Sequence, residues 1–302
     1  MSFADLLGVL SPIVFVAGAG LVWGRISAVD TKPLHVLAYY IAGPALIFTS
    51  MYTSDVTASS LLRTGAFALL MYAAFILVAY VLAIAKKWDS DSRRAAFLSL
   101  APTNCANYGL PVIALAFGDA GLSFGIAFVV AHVLIYMTLG VALISWRKET
   151  DLVRNLVAIA KVPYIYALGL ALLLKAVGVA LPSAIETPVK LVGQAWIPLL
   201  LLLLGLEIGK VRPREIALGN TLILTFIKLV LAPLLALGFS LLLGITGLWR
   251  AVLLVQASMP TAVNAVMFAR QFGVRPSVVA SVLLLTTAGS LVSIGLLLHY
   301  FG

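Results

Sequence analysis

Stretches of about 20 mostly apolar residues follow one another along almost the whole chain, and they constrain the fold more than any other feature. A helix of about this length spans the hydrocarbon core of a bilayer. Only 10% of the 302 residues are charged, against about a quarter in an average soluble domain. We therefore expect an all-α integral membrane protein.

The apolar pattern predicts about ten membrane spans, the first of them retained rather than cleaved as a signal peptide, because no basic segment precedes it. The predicted spans lie near residues 6–23, 34–52, 64–85, 94–117, 122–145, 156–177, 188–209, 215–243, 249–272 and 277–300.

Basic residues are distributed unevenly between the connections of these spans. Odd-numbered connections carry 15 of the 20 Lys and Arg residues, even-numbered ones and their flanks carry 4, and Lys228 lies inside the eighth span. The positive-inside rule then predicts cytoplasmic odd connections and two extracytoplasmic termini in the plasma or inner membrane. Because topology accounts for the net charge of +9, we expect no nucleic-acid partner.

Ten spans divide into two sets of five, and because five is odd the second set would be inverted in the membrane. Weak internal matches support this division. RAAFLSLA (94–101) resembles RAVLLVQA (250–257), and Gly118 matches Gly273 at nearly the same offset. We predict two inverted repeats of five helices, residues 1–150 and 151–302.

Two of the predicted spans, four and nine, are interrupted by proline and carry amides. They read SLAPTNCANYGLPVIALAFG (99–118) and LLVQASMPTAVNAVMFARQFG (253–273). A proline removes one N–H and displaces a carbonyl, and in lipid these groups need partners in protein or in a watery cavity. The predicted helix-break residues are Pro102, Gly109, Pro111 and Pro260.

Two broken helices that cross at the membrane midplane would direct the N-termini of half-helices toward one point. Such ends carry free N–H groups and partial positive charge, which favour an anion or a dipolar substrate. Amide and hydroxyl side chains add hydrogen bonds without a buried charge. The predicted substrate-binding residues are Asn104, Asn107, Thr261 and Asn264.

Ionisable residues inside spans are costly and therefore informative. Lys228 could balance the charge of an anion, occupy the place of a coupling cation, or carry a coupling proton. His132 is interpreted as a neutral hydrogen-bonding residue or, alternatively, as a titrating one. Glu207 is predicted to form an interfacial ion pair with Lys210 and Arg212.

No acidic pair lies within the predicted spans, so the sequence leaves sodium or proton coupling open. The single cysteine, Cys105, has no cysteine or histidine at metal-ligand spacing. We expect no metal and no cofactor.

The segments NYGLPVIALAFG (107–118) and SMPTAVNAVMFARQFGVRPSVVASVLLLTT (258–287) resemble the auxin efflux carrier family. That family includes plant auxin exporters and bacterial members that move small organic acids such as malate or malonate. The resemblance implies a fold like that of bile acid–sodium symporters and a homodimer formed through a scaffold domain of spans one, two, six and seven. It also implies a transport domain of spans three to five and eight to ten that moves as an elevator, with substrate at the crossing of spans four and nine.

The expected function is therefore secondary transport of a small organic anion, either auxin-like or a dicarboxylate. The alternative is a passive channel or a membrane receptor for a small solute, since broken helices also line pores. An intramembrane enzyme is not expected, because the HExxH pattern is absent from the sequence.

Overall fold

The computed structural model describes residues 2–27, 29–144, 157, 160–210 and 218–302, and every regular element within these ranges is helical. The α-helices are α1 Phe3–Ile26, α2 Lys32–Leu37, α3 Gly43–Thr53, α4 Ala58–Ala85, α5 Ser90–Leu100, α6 Leu110–Ile135, α7 Val141–Ile144, α8 Pro163–Val177, α9 Ser183–Gln194, α10 Trp196–Gly209, α11 Leu218–Phe226, α12 Ala232–Leu242, α13 Gly247–Ala257, α14 Val263–Phe272 and α15 Pro276–Phe301. Single π-helical turns occupy Ala38–Ala42, Cys105–Gly109, Tyr136–Gly140 and Ile227–Leu231.

Seven stretches of the described residues are long and apolar enough to cross a membrane. They are Ala4–Ile26, Lys32–Thr53, Ala58–Ala85, Cys105–Ile144, Ser183–Gly209, Gly219–Leu242 and Pro276–Phe301. Two shorter apolar helices are Pro163–Val177 and Gly247–Ala257. The prediction of an all-α membrane protein is confirmed at this level; the connections at 145–156 and 211–217, with Arg212, lie outside the described residues.

The 40-residue stretch Cys105–Ile144 is longer than one membrane crossing. At 1.5 Å per residue it measures about 60 Å, twice the thickness of a hydrocarbon core. Gly118 interrupts it with φ 61° and ψ −159°. Glycine tolerates this positive φ, which a residue with a Cβ rarely adopts.

The helices pack most closely in two groups. In the first, α1 lies against α10, and α3 lies against α8 and α9. In the second, α4 contacts α5 and α6, α13 contacts α6 and α12, and α15 contacts α11 and α14. Within the first group, a Cβ at Gly205 would collide with the carbonyl of Ala17, so glycine allows the backbones of α1 and α10 to approach.

Three of the prolines in the helices follow widened turns. Pro44, Pro111 and Pro233 each stand two residues after the end of a π-helical turn. A proline ring displaces the carbonyl one turn earlier, and a π-helical turn gives that carbonyl room. The helix therefore continues through Pro111, which the sequence had suggested as a break.

Candidate functional site

The chain leaves the helical conformation at residues 101–104, after α5, and at 258–262, after α13, and the two segments cross. The backbone N–H of Asn104 donates to the carbonyl of Pro260 at 2.8 Å, and that of Ala262 donates to the carbonyl of Pro102 at 3.1 Å. Thr103 and Thr261 form an antiparallel bridge between these bonds. Each break therefore supplies the donor and the acceptor that the other break lacks, as membrane burial requires.

The carbonyls at the end of α5 are satisfied by side chains. The Thr261 hydroxyl donates to the carbonyl of Ser99 at 2.6 Å, and the Lys228 ammonium donates to that of Leu100 at 2.6 Å. The N–H of Thr261 donates to the hydroxyl of Thr286 at 3.2 Å. These bonds replace the intrahelical partners that the last turn of a helix loses.

The predicted break residues divide into two kinds. Pro102 and Pro260 lie in the two non-helical segments. Gly109 and Pro111 do not: Gly109 has helical angles, φ −65° and ψ −48°, and Pro111 is the second residue of α6. A Cβ at Gly109 would collide with the side-chain amide of Gln256, so this glycine serves close packing against α13 rather than chain reversal.

A cavity of about 140 Å³ lies beside the crossing. Three of the predicted substrate residues, Asn104, Asn107 and Asn264, line it. Aromatic side chains form much of the remaining wall: Tyr39, His132, Tyr136, Tyr164 and Trp196. A dry cavity of about 150 Å³ holds a benzene-sized molecule, so this one has room for a compact solute.

Four polar atoms from the residues that line this cavity are buried without a hydrogen-bond partner among the described residues. They are Oγ1 of Thr103, Nδ2 of Asn104, the hydroxyl of Tyr136 and Nε1 of Trp196. All four can donate a hydrogen bond. An unpaired buried donor costs about 1–3 kcal/mol, and an acceptor bound in the cavity would recover that loss.

Thr261 is placed differently from its prediction. It is fully buried, and its hydroxyl hydrogen is committed to the carbonyl of Ser99. It is not one of the residues that line the cavity. We therefore assign Thr261 to the support of the crossing rather than to substrate contact.

His132 lies in the cavity wall and is buried. The hydroxyl of Tyr72 lies 3.2 Å from its Nε2 atom, and the two rings are 5.2 Å apart. The Tyr136 ring lies 6.4 Å from the His132 ring. These neighbours fit the interpretation of His132 as a hydrogen-bonding residue.

Lys228 is fully buried in the π-helical turn before α12. Its ammonium lies 4.9 Å from the centre of the Phe75 ring and, within the described residues, has no carboxylate partner. It does not line the cavity. Its bond to Leu100 places it at the start of the break that ends at Asn104.

A polar cluster borders the cavity where His35 joins its wall. His35 Nε2 lies 3.3 Å from a carboxylate oxygen of Glu207. The same oxygen accepts hydrogen bonds from the Thr31 hydroxyl at 2.6 Å and the Lys210 ammonium at 2.9 Å. The predicted pair of Glu207 and Lys210 is confirmed.

Sequence reasoning missed Tyr136 and Trp196, because aromatic residues are common in membrane helices. One sequence feature could have pointed to Trp196: the glycine at position 43, which is the first residue of α3. A Cβ there would lie 2.8 Å from the Tyr164 ring and 3.0 Å from that of Trp196. Glycine at this position lets the aromatic pair approach the backbone.

A family described as "Membrane transport protein" matches residues 7–161 and 154–298. An uncharacterized transporter of Methanothermobacter thermautotrophicus is 29% identical over 279 residues, 91% of this chain and 90% of that protein. An uncharacterized transporter of Methanocaldococcus jannaschii is 27% identical over 303 residues, 97% and 96% of the two chains. A probable auxin efflux carrier component 1b of Oryza sativa subsp. japonica is 25% identical over 171 residues, 55% of this chain and 28% of the rice protein.

Proposed function

The chain belongs to the auxin efflux carrier family of membrane transport proteins, and on that ground we propose that it is a secondary transporter of a small organic anion. The family resemblance of residues 107–118 and 258–287 is confirmed, and the chain is a multi-pass membrane protein. We place the substrate in the cavity beside the crossing of the two broken helices.

The observation that carries the anion assignment is the convergence of buried donors that have no partner within the described ranges. Four such donors come to one cavity, on Thr103, Asn104, Tyr136 and Trp196. The helical turns that follow the breaks begin at Cys105 and Val263, beside this cavity, and helix N-termini favour negative charge. A carboxylate has enough lone pairs to accept from all these donors.

Cavity size favours a compact acid. A space of about 140 Å³ is comparable with one that holds benzene, whereas an indole acid has about twice as many heavy atoms. We propose a short mono- or dicarboxylate as the substrate in this conformation. An indole acid would need the cavity walls to separate.

The packing groups support an elevator mechanism. Helices α1–α3 and α8–α10 would form the scaffold and the homodimer contact, and α4–α7 with α11–α15 would form the transport domain. The cavity has walls from both groups: Tyr39, Tyr164 and Trp196 from the scaffold, and Asn104, His132 and Tyr136 from the transport domain. A shift of one group against the other would therefore change which side of the membrane reaches the substrate.

Ten spans in two inverted repeats remain our proposal for the topology. Division of Cys105–Ile144 at Gly118, with α5 joined to its first part, α8 counted as a span and α13–α14 counted as a broken span, gives that number. Helices α5 and α13 each have 11 residues and each precede a proline-containing break. Both termini would be extracytoplasmic, and Lys228 would balance the charge of the anion without touching it.

The first experiment measures thermal unfolding of the purified protein with a panel of mono- and dicarboxylates and indole acids, with and without sodium. A ligand that binds the native state raises the melting temperature. We expect a short carboxylate to do so, and Asn107→Ala to abolish the shift. Asn220→Ala in α11 is the matched control, because it removes an amide that does not line the cavity.

No shift with any carboxylate would contradict the anion assignment, and a shift that requires sodium would identify a coupled symporter. Uptake into proteoliposomes separates a carrier from a channel. Flux through a carrier saturates with substrate concentration, and a gradient of unlabelled substrate drives labelled substrate in the opposite direction. Flux that rises linearly with concentration and shows no such counterflow would favour the channel.

A further inference from the structure

A second cavity, of about 370 Å³, lies between the C-terminal part of α4 and the N-terminal part of α5. Its walls include Ile76, Ala79 and Tyr80 from α4, and Arg93, Arg94 and Phe97 from α5. The polar groups of its lining belong to the two arginines, Ser90 and Tyr80, and the rest is apolar. None of these residues belongs to the wall of the cavity at the crossing.

The two arginines present different groups to this cavity. The guanidinium of Arg93 is solvent-exposed and lies over the Tyr80 ring, 5.8 Å from its centre. Arg94 has 12% of its side chain exposed, pairs with Asp91, and donates to the carbonyl of Ile144 at 2.9 Å. Its Nε atom is buried and has no partner among the residues that the structure describes. Arg94 is thus a fixed cation with one unused donor.

The cavity lies at the end of a membrane helix, since α4 ends at Ala85 and α5 begins at Ser90. Lys86 and Lys87 follow α4 directly, so the segment 86–94 carries four basic and two acidic residues. Tyrosine and arginine are typical of the level where lipid headgroups meet the acyl chains. At that level the arginines would lie in the headgroup layer and the apolar wall would lie beside the acyl chains.

We propose that this cavity binds one acidic phospholipid. Its phosphate would accept hydrogen bonds from the guanidinium of Arg93 and from Nε of Arg94, a geometry that arginine makes well with phosphate. The first part of an acyl chain would lie along Ile76, Ala79 and Phe97. Basic pockets between membrane helices bind acidic headgroups by this chemistry. A soluble anion would use the arginines but gain little from the apolar wall.

Thermal unfolding in a neutral detergent, with phosphatidylglycerol, phosphatidylcholine or inorganic phosphate added, tests the proposal. We expect phosphatidylglycerol to raise the melting temperature more than the other two additives. Arg93→Gln should weaken the affinity for phosphatidylglycerol by roughly fivefold, the value of one basic residue at an acidic membrane surface. Arg270→Gln is the control, because Arg270 is also exposed and on the predicted cytoplasmic side.

Ala79→Leu provides a second variant that leaves every charge in place and fills the apolar wall. It should lower the number of phosphatidylglycerol molecules retained in native mass spectrometry. Equal stabilisation by phosphatidylcholine, or an equal loss of affinity in Arg270→Gln, would overturn the proposal. Inorganic phosphate that matches phosphatidylglycerol would overturn it too, because the site would then take a free anion rather than a lipid.

Discussion

The ammonium of Lys228 donates a 2.6 Å hydrogen bond to the carbonyl of Leu100, the last residue of α5. The two residues are 128 positions apart in the sequence. This one bond satisfies a carbonyl that the helix break exposes and holds the buried amino group of Lys228 beside the crossing. Lys228 therefore supports the broken helix, and under the proposed function it also balances the charge of the anion.

Replacement of Lys228 separates these two roles. Lys228→Met removes both charge and donor, whereas Lys228→Gln keeps a donor near Leu100. Both variants should bind the transported acid about tenfold more weakly, because charge attraction in a buried site is strong. Lys228→Met should also unfold more readily than Lys228→Gln, since an unsatisfied carbonyl costs about 1–3 kcal/mol. Unchanged acid affinity in both variants would contradict the charge-balance role.

Tyr136→Phe should affect stability and binding in opposite directions. The change removes a buried hydroxyl that has no partner among the described residues, so the ligand-free protein should become slightly more stable. The bound acid would lose one charge-assisted hydrogen bond, which lowers affinity by roughly tenfold or more. Melting temperatures with and without ligand measure both effects, with the exposed Tyr300→Phe as control. A purely structural role for Tyr136 would leave the ligand-induced shift intact.

Thr261→Val tests the reassignment of Thr261 to the crossing. The variant loses the bond to the carbonyl of Ser99 and should be less stable by about 1–3 kcal/mol. Affinity for the acid should stay within a factor of about two, because Thr261 does not line the cavity. Thr261→Ser, which keeps the hydroxyl, is the control. A large loss of affinity in Thr261→Val at preserved stability would return Thr261 to the binding site.

Gly109→Ala should destabilise the protein, because the added methyl group collides with the side-chain amide of Gln256. Overpacking of this kind costs about 1–3 kcal/mol. The double variant with Gln256→Ala should recover part of the loss, since it removes the colliding group. Gly169→Ala in α8 serves as the control, as a Cβ there meets no atom within 4 Å. Equal melting temperatures for Gly109→Ala and Gly169→Ala would show that close packing does not require glycine at position 109.

Asp89 should make stability depend on acid pH. Hydrogen bonds from Ser92 and then from Arg275 hold the pKa of Asp89 well below its ordinary value near 3.8. The ionised carboxylate therefore stabilises the fold above about pH 4, and this contribution is lost as pH falls toward the lowered pKa. Melting temperature measured from pH 6 to pH 3 should fall less steeply in Asp89→Asn than in the unchanged protein. Asp55→Asn is the control, and parallel curves for Asp89→Asn would contradict the prediction.

The sequence by itself determined the class of the fold, the family and the position of the two breaks. Long apolar stretches and few charged residues suffice to predict the fold class, because each segment crosses the bilayer on the strength of its own composition and length. Pro102 and Pro260 mark the breaks because proline lacks a backbone N–H whatever its surroundings are. The sequence also suggested Asn104, Asn107 and Asn264, because amide side chains stand out among apolar residues and these three lie close to the prolines.

The tertiary structure decided which of these residues reach the cavity. Pro111 and Thr261 are as conspicuous in the sequence as Pro102 and Asn264, yet a π-helical turn absorbs Pro111 and the carbonyl of Ser99 engages Thr261. Trp196 carries no polar signal in the sequence, and only its packing leaves Nε1 without a partner in the part of the chain that the structure describes. Burial and hydrogen bonding depend on groups that are more than a hundred residues away, so local sequence determines where a helix breaks, whereas long-range packing determines what the break presents to a ligand.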